Sequence, residues 1–280
     1  MRSLVILKDK NLPIDLFYRF FYAFRNLTQL QSYNYLKGFI MKVNKINNLR
    51  IVSSVIMFVL ILAITSLYYF VNPQSVAVSN SEDSAIYNGN RSSNKIALMF
   101  NCYEGREIII QIAEILEKYG FRATFFWGGC FADDNLDLVK SLAERGHEIG
   151  NHGYFHKKHS ALDYDGNLQE IQKTHEIIRA GAGVEMQLFA PPSGDFSKTT
   201  LKVCKNIGYK VILWSKDTVD WRDKNSKIVY NRATTNISGG DFVLLHPKEH
   251  TLKALPDIIE NYLASGFVVS TVSQCMENNG

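Results

Sequence analysis

His147-Glu148-Ile149-Gly150-Asn151-His152-Gly153-Tyr154-Phe155-His156 sets two histidines four residues apart, just where a short apolar strand runs out. On a helix this spacing would put both imidazoles on one face. Here Gly150 and Gly153 flank His152, and glycines so placed favour a strand end turning into a loop. Neutral imidazole is the commonest protein ligand for a transition metal, and two neighbouring rings can grip one ion. The plain alternative is a histidine-rich surface loop, because H-x-x-x-H alone is a weak pattern. Its neighbours along the chain decide the matter.

On both sides of this stretch apolar strands alternate with helices. The strands are expected at Lys95–Phe100, Phe121–Trp127, His147–Gly150, Gln187–Ala190, Tyr209–Trp214, Phe242–Leu245 and Phe267–Thr271. Helical spacing falls between them, at Ile108–Tyr119, Leu136–Arg145, Leu168–Ala180, Thr199–Ile207, Ile228–Ile237 and Lys253–Ala264. This order predicts an α/β fold with a parallel sheet covered by helices, open or closed. Special residues recur just after the strands: Asn101 to Gly105, His152 and His156, Pro191-Pro192-Ser193-Gly194, Asp217 with Asp220-Trp221, and His246-Pro247. Each has an ordinary explanation alone, as a cap, a satisfied core histidine or a rigid turn. Their recurrence at the carboxyl ends of parallel strands marks a site.

The order of these motifs resembles the polysaccharide deacetylases with a NodB-homology domain, carbohydrate esterase family four. The likeness spans roughly Lys95 to Ser273. Where the family shows T-F-D-D-G, this chain has Met99-Phe100-Asn101-Cys102-Tyr103-Glu104-Gly105. The N-H-x-x-x-H motif is intact at Asn151 to His156, D-x-x-D-W at Asp217 to Trp221, and L-x-L-H is present as Leu244-Leu245-His246. The R-x-P-x-G motif reads Ala190-Pro191-Pro192-Ser193-Gly194, without its arginine. The resemblance implies an irregular (β/α) barrel of about seven parallel strands over residues 95–275.

It also implies a chemistry. A divalent metal held by two histidines and an aspartate keeps positions open for water and the acetamide oxygen. A carboxylate takes the water's proton and a histidine gives one to the leaving amine. Carried over, His152 and His156 are metal ligands and His246 is the general acid, with Asp217 and Asp220 both candidates to support it. Trp221, Pro191, Pro192, Tyr154 and Asn101 are candidate substrate contacts. The departures fall on the other roles. Asn101 stands where the base carboxylate is expected, Cys102 where the aspartate ligand is expected, and Ala190 where an arginine would hold the base. Cys102 as thiolate would complete a His₂Cys site favouring Zn²⁺, and Glu104 is a candidate substitute base.

Composition adds a compartment. Residues 1–50 carry nine Lys/Arg against Asp9 and Asp15, a balance of +7, so the other 230 residues carry −3 of the net +4. A mildly acidic bulk argues against nucleic-acid binding. Ile51–Val71 is an uncharged run that would span roughly 31 Å as a helix, about a bilayer's hydrocarbon thickness. Lys42, Lys45 and Arg50 precede it, and no basic residue follows until Arg91. This bias predicts a cytoplasmic N-terminus, a membrane anchor at 51–71 and an extracellular remainder. Residues 72–94, rich in Ser, Asn and Gly, read as an extracellular linker. Met41-Lys42-Val43-Asn44-Lys45 has the form of a natural start for such an anchor, so residues 1–40 are either a membrane-surface segment or lie before the true start. Outside the cell, Cys102, Cys130, Cys204 and Cys275 could form disulfides, Cys102 with Cys130 among them, or remain buried thiols. Two functions stay open: a membrane-anchored metal-dependent deacetylase of cell-wall glycan, and a catalytically silent relative binding glycan or partner proteins at the wall.

Overall fold

Strand β1 (Lys95–Cys102) is the axis of the sheet: it pairs in parallel with β2 (Thr124–Trp127), β7 (Phe242–Leu245) and β8 (Val268–Ser270). In the computed structural model, residues 84–277 are described, with Met57 alone before them. Residues 84–277 belong to the second of two compact units, Ser79–Gly280. The basic segment 1–50, the anchor expected at 51–71 apart from Met57, and residues 72–83 of the linker fall outside the described residues. Among the described residues no helix is long and apolar enough to cross a membrane.

The sheet continues from β2 through β3 (Glu148–Asn151) and β4 (Leu188–Phe189) to β5 (Lys210–Val211). On the other side β7 is followed by β6 (Lys216–Asp217). Every named pairing is parallel. Helices α1 (Arg106–Lys118), α3 (Leu136–Glu144), α4 (Tyr164–Ala182), α5 (Lys198–Asn206), α6 (Ser226–Thr234) and α7 (Glu249–Ala264) connect the strands. Short helices α2 (Gly129–Asp133) and α8 (Val272–Met276) were not expected from the sequence.

Alternation along β1 divides the molecule into two packing layers. Ile96, Leu98, Phe100 and Cys102 face the helices and join the larger core with Ile109, Leu116, Phe125 and Trp127. Ala97 and Met99 face the other way, into the concave side of the sheet, with Phe126, Leu188, Ile212 and Leu244. Successive strand residues point to opposite faces, so Asn101 follows Met99 toward the concave side. Gly150 lets β3 approach β2 there; a Cβ on it would lie 2.4 Å from Cδ1 of Phe126.

The single strand expected at Tyr209–Trp214 is divided. β5 covers Lys210–Val211, and after four residues the chain re-enters the sheet at its opposite end as β6. The ends are thereby brought close without forming a ladder, giving a half-barrel of eight strands among the described residues, the open form of the irregular barrel of about seven strands that was expected. The segment before β1 lies at this seam: Ile86 pairs with Ile212, and Asn88 with Asp241.

Candidate active site

The carboxyl ends of β1, β3 and β7, and the loops after β4 and β6, surround a cavity of about 390 Å³. Its lining includes Asn101, His152, His156, Asp217 and His246. Trp214, Trp221, Leu244, Ser193 and Lys248 complete it.

His152 follows β3 and is buried, and its Nδ1 donates to the Ala190 carbonyl at 2.7 Å. That bond leaves Nε2 free to accept or to coordinate. Burial first, and the neighbouring His156 second, push its pKa down to about 3, so the ring is neutral at neutral pH. The two rings lie 5.3 Å apart between centroids, at 72°. His156 has a left-handed backbone, φ 55°, and its ring packs edge-on against Tyr103. Its pKa is lowered too, first by loss of water on its packed side and then by His246, with a backbone bond opposing.

Across the cavity His246 follows β7. Its Nδ1 pairs with Asp220 Oδ1 at 2.7 Å, and its backbone N–H donates to Asp220 Oδ2 at 2.7 Å. Thr251 Oγ1 donates to the same Oδ2 at 2.6 Å. Asp220 has no exposed surface. Burial is the largest influence and raises its pKa, but the His246 bond and charge, Thr251 and the backbone bond together hold the carboxyl below its usual range. An ionised, fully bonded carboxylate therefore holds the imidazole with Nε2 available to the cavity. Asp217 is used differently. Its Oδ1 accepts the Val219 N–H at 2.8 Å, shaping the turn in which Val219 takes φ 53°. Of the two aspartates, Asp220 supports His246.

Asn101 is 5% exposed, and its Oδ1 has no hydrogen-bond partner. An orphaned buried acceptor lining a cavity is a place for a donor or a cation.

Comparison with known proteins places the arrangement. Residues 88–212 match the polysaccharide deacetylase family model. The chain is 32% identical over 203 residues to the uncharacterized protein YlxY of Bacillus subtilis (strain 168), covering 72% of this chain and 64% of that protein's length. It is 30% identical over 198 residues to the peptidoglycan-N-acetylmuramic acid deacetylase PdaA of the same organism, covering 69% of this chain and 75% of the relative. This chain belongs to the polysaccharide deacetylase family. A solved structure from Bacillus anthracis, described as a CE4 family pseudoenzyme, matches with a TM-score of 0.68 at 31% identity, over 70% of this chain and 69% of that one. A mutant of it, described as having restored enzymatic activity, superposes equally well, at 30% identity over 70% and 72%.

Against the family's pattern, the structure gathers His152, His156, His246, Asp220 and Asn101 but excludes others. Cys102 is not with the histidines. β1 runs two residues further than expected, so Cys102 is still in the ladder and points into the helix-side core. Its thiol donates to the Phe100 carbonyl at 3.5 Å, and burial pushes its pKa well up, the reverse of what a thiolate ligand needs. All four cysteines are free, so the disulfide with Cys130 is not formed. Glu104 is exposed, pairs with Lys248 and does not line the cavity. Tyr154 is buried behind the loop, with Lys173 Nζ 3.6 Å from its ring centroid. Pro191 and Pro192 are buried and do not line the cavity; Ser193 (φ 56°) and Trp214 form that wall. Gly194 admits the indole closely, since a Cβ there would lie 2.9 Å from Trp214 Cη2. Trp214, at the end of the expected fifth strand, was within reach of the strand-end rule. Lys248 and Ser193 carried no signal of their own.

The family's chemistry implies a divalent metal. No group of three or more His, Cys, Asp or Glu side chains among the described residues could hold one. The donors that fit are the two imidazoles and the orphaned amide oxygen of Asn101, a neutral set.

Proposed function

We propose that this chain is a metal-dependent deacetylase of N-acetylated cell-wall glycan, held outside the cell by the anchor expected at Ile51–Val71. The observation that carries the reading is the Asp220–His246 dyad, whose histidine lines the same cavity as His152 and His156. A buried ionised carboxylate is costly to maintain, and this one is spent on a single histidine turned toward the cavity. A relative named as a peptidoglycan deacetylase supports the substrate class.

A divalent cation at His152, His156 and Asn101, Zn²⁺ by the preference of imidazole donors, would polarise the acetamide carbonyl and acidify a water. The protein's own residues do the rest. Asp220 holds the Nδ1 side of the His246 ring and aims its Nε2 at the cavity, where it can give a proton to the departing sugar amine. Trp221, 56% exposed, and Trp214 offer aromatic faces to a pyranose ring, and Leu244 an apolar floor to the acetyl methyl. Among the described residues the carboxylate that lines the cavity is Asp217, whose Oδ1 is taken up by the Val219 N–H, and Asn101 can orient the water but cannot take its proton. Turnover is therefore slow.

The same Asn101 favours a second reading, a glycan-binding member without turnover, and a neighbouring structure is described as a pseudoenzyme. Acetate release from N-acetylglucosamine oligomers and from peptidoglycan, measured on full-length protein with Zn²⁺, separates them. The deacetylase reading expects release that His246→Ala abolishes. No release from either substrate, with zinc bound and peptidoglycan co-sedimenting, establishes the binding protein. For topology, external protease on intact cells should digest residues 84–277; protection until lysis would overturn the extracellular placement.

A further inference from the structure

The segment joining the two cavity histidines is irregular, yet the N–H groups of residues 153–155 and the carbonyls of 153 and 154 all find partners. Gly153 N–H donates to Asn151 Oδ1 at 2.9 Å, while Tyr154 and Phe155 N–H both donate to Glu170 Oε2, at 3.0 and 2.8 Å. From the other side, Gly129 N–H donates to the Gly153 carbonyl at 2.8 Å. The Tyr154 carbonyl accepts from Cys130 N–H at 3.2 Å and from the Tyr103 hydroxyl at 2.7 Å. Lys157, just past His156, reaches Glu170 Oε1 at 3.1 Å. Glu170 sits in the interior of α4 and is 4% exposed.

A carboxylate so buried persists only where donors replace its water. Glu170 finds two backbone N–H groups and an ammonium, and bonds to a charged acceptor are the stronger kind. The loop it grips ends at His156, whose positive φ is uncommon outside glycine and carries backbone strain. Such a residue holds its place only if its surroundings over-determine it. α2 fixes the loop's carbonyls, and Glu170 fixes its N–H groups.

We propose that Glu170 is a positioning residue that sets the separation and aim of the two imidazoles, and through them the affinity of the pair for a divalent cation. The cation half rests on the metal reading above; the loop-setting half does not. Glu170 touches neither cation nor substrate. Supporting partners of metal ligands typically change affinity by roughly ten- to a hundredfold.

The test uses full-length protein, Zn²⁺ titrated by calorimetry, and Co²⁺ for its visible spectrum. Glu170→Leu keeps the volume but offers no acceptor, and should weaken zinc binding by roughly tenfold or more and shift the Co²⁺ bands. Glu170→Gln keeps an oxygen for both N–H groups and should rescue both readings, as should Lys157→Met, which removes only the ammonium. A folded Glu170→Leu protein with wild-type affinity and spectrum overturns the proposal. Amide hydrogen exchange reads the loop without any metal. Tyr154 and Phe155 should exchange faster in Glu170→Leu and not in Glu170→Gln, with β1 protection unchanged. Equal exchange at 154 and 155 in wild type and Glu170→Leu overturns it as well. If the wild type binds neither ion, the metal reading falls and exchange alone decides whether Glu170 holds the loop. Should Glu170→Leu not fold, Glu170→Ala, which leaves room for water, carries the same readings.

Discussion

The two walls of the cavity differ in how their polar groups are met. On the β7 wall, Asp220 accepts from His246 twice and from Thr251 once, and the His250 ring donates to its backbone carbonyl at 2.7 Å. On the β1 wall, Asn101 presents an amide oxygen with no partner. Ala190 stands buried where the family pattern has an arginine, offering only its carbonyl to His152. The charge missing from one position is matched by the countercharge missing from the other, and an arginine kept alone there would be a buried, unpaired cation. On the proposed reading the proton-donating half of the chemistry has both its members, Asp220 and His246, and the proton-accepting half lacks both the carboxylate and its arginine.

Breaking the β7 wall should have the largest effect. If the chain releases acetate, His246→Ala should lower the rate by about two to four powers of ten, with zinc affinity unchanged by calorimetry. An active His246→Ala protein would show that the dyad is not the acid. Restoring charge to the β1 wall comes next: Asn101→Asp supplies both a base and an anionic donor, and should raise acetate release by about tenfold or more. Equal rates in this variant and the wild type would place the defect elsewhere.

The dyad should also be visible in acid. The folded pKa of Asp220 lies below its unfolded value near 3.9, so its ionisation stabilises the fold above about pH 4. That contribution is lost as the pH falls through the folded pKa. Urea melts from pH 6 to pH 2 should show Asp220→Asn with a shallower acid decline than the wild type; parallel declines would mean the carboxylate gains nothing from its partners. Cys102→Ala should cost about 1 kcal/mol through the lost core contact and leave zinc affinity unaltered; weakened zinc binding would return the sulfur to the site. Glu104→Gln should change activity least, by less than about twofold, as for an exposed ion pair.

Much of this was legible in the residues. The strand-end rule located the histidine pair, Asp220, His246 and Trp221, because the carboxyl ends of parallel strands converge whatever the details between them. It failed at Cys102 for a reason of parity. Ending β1 at Phe100 made Asn101 and Cys102 neighbours in a loop, free to face the same way; two more paired residues put them on opposite faces. Tyr154 and the two prolines were misplaced because membership of a motif says nothing about which way a side chain turns. Glu170 left no trace, since a glutamate inside a helix is ordinarily a solvated surface residue, and only the loop folded over α4 makes it a buried acceptor. The split of the fifth strand was equally hidden, because Ile212 pairs with Ile86, far away in sequence.

The seam strap has a consequence for how the site is presented. Ser84 lies beside Gly208 and Tyr209, where β5 begins, and Asn88 meets Asp241, just before β7 begins. The chain thus enters the half-barrel at the starting ends of its strands, while the cavity opens at their finishing ends. A tag or fusion joined at residue 84 is therefore attached at the strand-starting side of the half-barrel, and a long polymer can lie across the mouth without meeting the point of attachment.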